Sequence, residues 1–192
     1  MGLLTDRKGN FSWFRFSLLV VALGGIFALF GFISFQVDQQ SRRTPFFPDL
    51  PPNAVQWGRT EFVSVGFQRN YYRVPGGNVD EVAAFYQAQM ERFYGTSGAA
   101  ASSLERCQRL PPAGEFTNIP DIQRPANDGK IYDPNFVPGR DLPFLYKCMF
   151  DRSGFNATQD TLVWIQPGTR NPDPNLNTEG DVVIIYEQRW QN

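Results

Sequence analysis

Twenty consecutive residues, Phe16 to Phe35, carry no charged side chain. Only Ser17 and Ser34 among them are neither apolar nor glycine. A helix rises about 1.5 Å per residue, so this run spans roughly 30 Å, the hydrocarbon thickness of a bilayer. That one feature divides the chain. It implies a short tail over residues 1–15, a transmembrane helix over 16–36, and all later residues on one side of the membrane.

Arg7, Lys8 and Arg15 precede the run against a single acid, Asp6, and Asp38 follows it. Basic residues before a span favour a cytoplasmic N-terminus, which would place the rest of the chain in the periplasm or another extracytoplasmic space. Arg42 and Arg43 reduce the contrast. Phe11, Trp13 and Phe14 occupy the position of an interfacial aromatic belt. A cleaved signal peptide would have a shorter apolar run ending near a small-x-small site. Here the end reads Phe32-Ile33-Ser34-Phe35-Gln36-Val37, and no cysteine lies nearby to take a lipid. The expectation is a retained signal anchor in the cell membrane.

At 100° per residue, Ser17, Gly24, Ala28 and Gly31 fall within about 60° of one another. Gly24-x-x-x-Ala28 is a small-xxx-small pair of the kind that lets a second helix approach closely. These four residues form the expected helix-packing face.

The remaining residues bound the chemistry mainly by what they lack. Residues 37–192 hold fifteen Arg and Lys against eighteen Asp and Glu, a net charge of −3, which gives no electrostatic footprint for nucleic acid. The 192 residues contain no histidine. Ser-His-Asp and Cys-His catalysis, His-ligated haem and the usual zinc sites are thereby excluded. Two cysteines are too few for an ordinary iron–sulfur cluster, and no Gly-x-x-x-x-Gly-Lys-Ser/Thr or Gly-x-Gly-x-x-Gly occurs. Carboxylates are scattered, with no pair singled out. The expectation is no cofactor, no metal and no catalytic residue.

Residues 37–56 read as a linker, with prolines at 45, 48, 51 and 52 favouring an extended course. Phe46 and Phe47 either dip into the membrane interface, pack on a partner, or tuck under the domain that follows. Residues 60–74 alternate as strand, with Gly66 a bulge or turn. Asn78 is positioned as an N-cap with Glu81 three residues on, and Gly95 ends the helix. Between them Val82, Phe85, Tyr86, Met90 and Phe93 define one apolar face of a helix over about 79–94. Ser97 to Ser103 is a small-residue loop. Leu104 to Leu110 suits a strand, and residues 111–143, with seven prolines, form a long irregular insertion. Loops of that length are usually functional or disordered, so the insertion is either a partner-contacting surface or decoration. Phe144–Phe150, Thr161–Gln166 and Asp181–Trp190 close the chain as strands. The fold class is therefore α+β: a transmembrane helix, then over 57–192 a two-layer domain with one amphipathic helix on an antiparallel sheet of about four to five strands.

Cys107 and Cys148 fall on strands that become neighbours if the insertion is a hairpin excursion. In an exported domain they would form a disulfide tying the insertion's base; two buried free thiols are the alternative.

The stretch from Val74-Pro75 through Asn78 to Glu81-Val82-Ala83-Ala84-Phe85-Tyr86 and Met90 resembles small exported bacterial domains. Those domains carry Val-Pro, Glu-Val-x-x-Phe-Tyr and a Leu or Met on one helix, and hang from a lipid or a single span. The order of elements over 60–190 follows theirs, and the resemblance implies a fold. In architecture the chain is also similar to small accessory subunits of bacterial electron-transfer complexes of the alternative complex III type. That similarity implies a non-catalytic, anchored accessory subunit, with membrane-protein neighbours and the lipid bilayer as its partners. The alternative is a free-standing anchored binding module, with an apolar pocket lined by Tyr71, Tyr72, Trp164 or Trp190. A hydrolase working through carboxylates is a third, weaker reading.

Overall fold

A computed structural model describes residues 13–95, 105–112, 114–117, 131–132, 141–154 and 157–191. The chain divides into two units, residues 1–41 and 42–192.

The described residues of the first unit form one helix, α1 (Trp13–Ser41), whose segment from Phe16 to Ser41 is long and apolar enough to cross a membrane. It runs five residues beyond the expected end at 36. Val37 to Ser41 contain neither Gly nor Pro, so nothing stops the helix there. It ends before Pro45, whose ring disfavours helical geometry in the preceding residue. The tail over residues 1–12 lies outside the described residues.

The second unit is built on a seven-stranded antiparallel sheet. Along the chain come β1 (Val55–Gln56), β2 (Glu61–Ser64), β3 (Phe67–Val74), α2 (Val79–Tyr94) and β4 (Gln108–Leu110). Then follow β5 (Phe116–Thr117), β6 (Ile131–Tyr132), β7 (Leu145–Asp151), β8 (Gln159–Pro167) and β9 (Val182–Trp190). The order across the sheet is β1-β3-β9-β8-β7-β4, with β2 also on β3. β1 and β2 share one flank of β3: Val55 and Gln56 face Arg73 and Tyr72, while Glu61 and Phe62 face Arg69 and Gln68. The α+β class stands, with more strands than the four to five expected. The surplus comes from pieces two to four residues long, too short to alternate visibly, one of them inside the expected linker.

The β2–β3 connection is a turn at Gly66, with φ 76°. A Cβ there would overlap the Trp190 carbonyl, so only glycine fits. Within the expected insertion 111–143, β5 and β6 form a separate parallel pair. Residues 118–130 and 133–140 of that insertion, and the expected loop at 97–103, lie outside the described residues.

α2 has the expected bounds. The Asn78 side chain accepts from the Asp80 and Glu81 amides at 2.8 and 3.3 Å, and Gly95 closes the helix in the left-handed region at φ 65°. Val82, Ala83, Tyr86 and Met90 are buried against the sheet, with Phe85 and Phe93 at the margin. Both ends of α2 are bonded to β7. Tyr146 donates its hydroxyl to Asp80 at 2.6 Å, and Tyr94 donates to the Met149 carbonyl at 2.7 Å. The covered sheet face contributes Tyr72, Val74, Cys148, Phe150, Val163, Ile165, Val182, Ile184 and Tyr186.

Candidate functional site

Ser17, Gly24, Ala28 and Gly31 all lie on α1. The Ser17 hydroxyl donates back to the Trp13 carbonyl at 2.9 Å, which satisfies it within its own helix. A Cβ built on Gly24 or Gly31 would meet nothing within 4 Å beyond the helix itself. Among the described residues, nothing packs on the stripe at Gly24 or Gly31.

The segment expected to be a linker is a strap on the domain. The sheet face under α2 is apolar towards one end of its strands. Towards the other end the same face carries Gln68, Asn70, Gln159, Thr161 and Gln188, all buried. Buried polar side chains need partners, and residues 44–49 supply several. Gln159 Nε2 donates to the Thr44 carbonyl at 2.6 Å, and Thr161 donates its hydroxyl to the Phe46 carbonyl at 2.6 Å. Gln188 Nε2 also donates to the Phe46 carbonyl. Its Oε1 accepts from Gln68 and Asn70 at 2.9 and 2.7 Å. Farther along, Gln89 on α2 pairs both ways with the Asp49 backbone, each bond 2.9 Å. Tyr186 donates to the Pro48 carbonyl at 3.2 Å. Of the two phenylalanines, Phe46 tucks under the domain, 5.5 Å from the Phe93 ring and 6.1 Å from Phe150, while Phe47 is half exposed. The strap was missed because its partners are side chains scattered from 89 to 188. The available signal was Gln and Thr at inward positions of otherwise apolar strands.

Cys107 and Cys148 are disulfide-bonded, with Cα atoms 4.2 Å apart. The β4–β7 ladder pairs Gln108 with Lys147, so one further step sets the two cysteines opposite each other. The bond closes a separation of 41 residues and fixes the chain on the near side of the expected insertion.

Alternation sends Tyr71, Trp164 and Ile185 to the sheet face away from α2. Together with Leu145, Arg69 and Glu187 they surround a shallow hollow of about 340 Å³. Arg69 Nε donates to Glu187 at 2.8 Å, and Lys147 sits 5.7 Å from the Trp164 ring centroid. Tyr71 also lines a second hollow of about 480 Å³ with Trp57, Arg59 and Leu176. Of the four aromatics expected around a pocket, the structure brings together Tyr71 and Trp164. Tyr72 is on the other face, 5.2 Å from Tyr186. Trp190 lies at the end of β9 with Ser153 and Gln191.

Several titratable groups depart from ordinary behaviour, and the largest departures lie in the core. Burial pushes the Tyr86 and Tyr186 phenols well up, and their hydroxyls share a hydrogen bond of 2.6 Å in the core. Burial also raises the Asp160 carboxyl, opposed by Arg189 and reinforced by Asp151. Among the described residues, no three His, Cys, Asp or Glu side chains gather as a metal set would. No family model, no curated protein and no solved structure matches the chain.

Proposed function

We propose that this protein is a non-catalytic, single-pass accessory subunit of a larger membrane complex, with its N-terminus cytoplasmic and its domain extracytoplasmic. In this reading α1 docks on a neighbouring helix through Ser17, Gly24, Ala28 and Gly31. The domain rests on neighbouring subunits, with residues 111–143 across them. The similarity of architecture to accessory subunits favours a bacterial electron-transport complex as the assembly.

The observation that carries this reading is the strap. A helix that only tethers a domain needs no more than a flexible spacer. Here the backbone at Thr44, three residues after α1 ends, is already bonded to the sheet. A short connection suits a domain that works close to the membrane. The disulfide supports the extracytoplasmic side, where such bonds persist.

Gly24→Leu with Ala28→Leu puts bulk on the small-residue stripe of α1. The pair should release the protein from its neighbours during purification in mild detergent, with the chain still membrane-bound. Unchanged association, or recovery of the wild-type protein as a lone monomer, would overturn this reading. The Tyr71–Trp164 hollow favours a second reading, an anchored binding module for a peptide, lipid or cell-wall component. Lone monomers whose Trp164 fluorescence responds to cell-wall fragments would favour that one.

A further inference from the structure

The β2–β3 hairpin ends in an uncharged stretch, Phe62-Val63-Ser64-Val65-Gly66-Phe67. Phe62 is 76% exposed and Val65 is 80% exposed. Large apolar side chains at a turn, where polar residues are the rule, point to an apolar or interfacial partner. The place of this tip in the sheet identifies the partner. Trp190 donates its amide to the Gly66 carbonyl at 2.9 Å, and Trp190 is paired with Gln159. Gln159 in turn holds Thr44. The hairpin tip and the point where the chain enters the domain thus share one end of the sheet, on strands β3 and β8, which are two strand spacings or about 10 Å apart.

That end is close to the bilayer by covalent geometry alone. From Phe35 to Ser41 the helix rises about 9 Å, little more than the ~5–8 Å of headgroups on each side of the hydrocarbon. From Ser41 to Thr44 the chain reaches at most about 10 Å. Two arginines flank the tip, their guanidinium carbons 5.5 Å (Arg69) and 5.4 Å (Arg189) from the Phe67 ring centroid, with Arg69 paired to Glu187. Aromatic and arginine side chains side by side suit the headgroup layer.

We infer that the β2–β3 tip, Phe62 to Phe67, is a second membrane contact that dips into the headgroup layer of the bilayer α1 crosses. The inference rests on the proposed anchoring by α1 and is independent of any complex. The tip would add a lipid contact to the anchoring by α1.

The test uses the full chain in vesicles of phosphatidylcholine and phosphatidylglycerol. An environment-sensitive fluorophore is attached at Val65→Cys, or at Leu176→Cys at the opposite end of the sheet. Resistance of both proteins to a carbonate wash reports the anchor by itself. The Val65 probe should then be quenched by nitroxide lipids and show severalfold weaker iodide quenching than the Leu176 probe. Equal iodide quenching at the two positions, with no lipid quenching, would overturn the inference. So would shielding at Val65 in native membranes that is absent in the vesicles, since the neighbour would then be protein. Loss of both proteins to the carbonate wash would remove the anchor and the inference together.

Discussion

Gln188 shows how much one side chain holds in place. It is fully buried, donates to the strap at the Phe46 carbonyl, and accepts from both Gln68 and Asn70. Gln188→Leu keeps the volume and strands the Gln68 and Asn70 side-chain amides, while the Phe46 carbonyl keeps Thr161. Each unsatisfied buried group costs about 1–3 kcal/mol, so the loss should be on the order of 3 kcal/mol or more. It should appear as a lower melting temperature in detergent and as new proteolysis near residues 44–49. Asp160 acts in the opposite sense. Burial raises its folded-state pKa above the unfolded value, so the folded protein binds the extra proton. Its contribution therefore favours folding at acid pH and is lost as pH rises from about 4 through the folded pKa. Asp160→Asn stays neutral throughout. The stability of the variant relative to wild type should thus improve from about pH 4 to neutrality, which melting curves across that range would measure.

At the scale of elements, α2 was legible residue by residue. Its cap, stop and apolar face are all local signals, and local signals survive in a single sequence. β4 was legible only in outline. It is three residues long, holds the sheet edge through three register pairs, and relies on the adjacent disulfide. Reducing that bond frees a loop closure of about 41 residues, worth about 4 kcal/mol in the chain-entropy model. Cys107→Ala with Cys148→Ala should therefore speed amide exchange at residues 108–110 far more than in β8 or β9, which pair on both flanks. Uniform exchange across the sheet would mean the disulfide holds the whole domain rather than its edge. β2 was legible as one of two short strands around Gly66, whereas β1, two residues long, carries no usable period.

For the whole molecule, the apolar helix and the disulfide make one joint statement about place. In right-side-out spheroplasts, added protease should remove the domain, and a tag at the N-terminus should stay protected. A protected domain would reverse the orientation and leave the disulfide without an oxidising compartment. The Thr44 and Phe46 carbonyls are already bonded to the sheet, so the strap belongs to the domain rather than to a free spacer. The hollow around Tyr71 and Trp164 belongs to this scale too, since it draws on four strands and appears in no single segment.

By itself the sequence determined the apolar span, the α+β class and the bounds of α2. Each of these follows from a continuous run, a local cap, or hydrophobic period. The tertiary structure alone decided that residues 44–49 are strap rather than spacer. It also separated Tyr71 and Trp164 from Tyr72 and Trp190, and set the β2–β3 tip at the end of the sheet where the chain enters. Those results depend on strand order and register, which bring residues more than a hundred positions apart into contact. Proline content reports that a segment is extended, whereas what it lies against is fixed by side chains far along the chain.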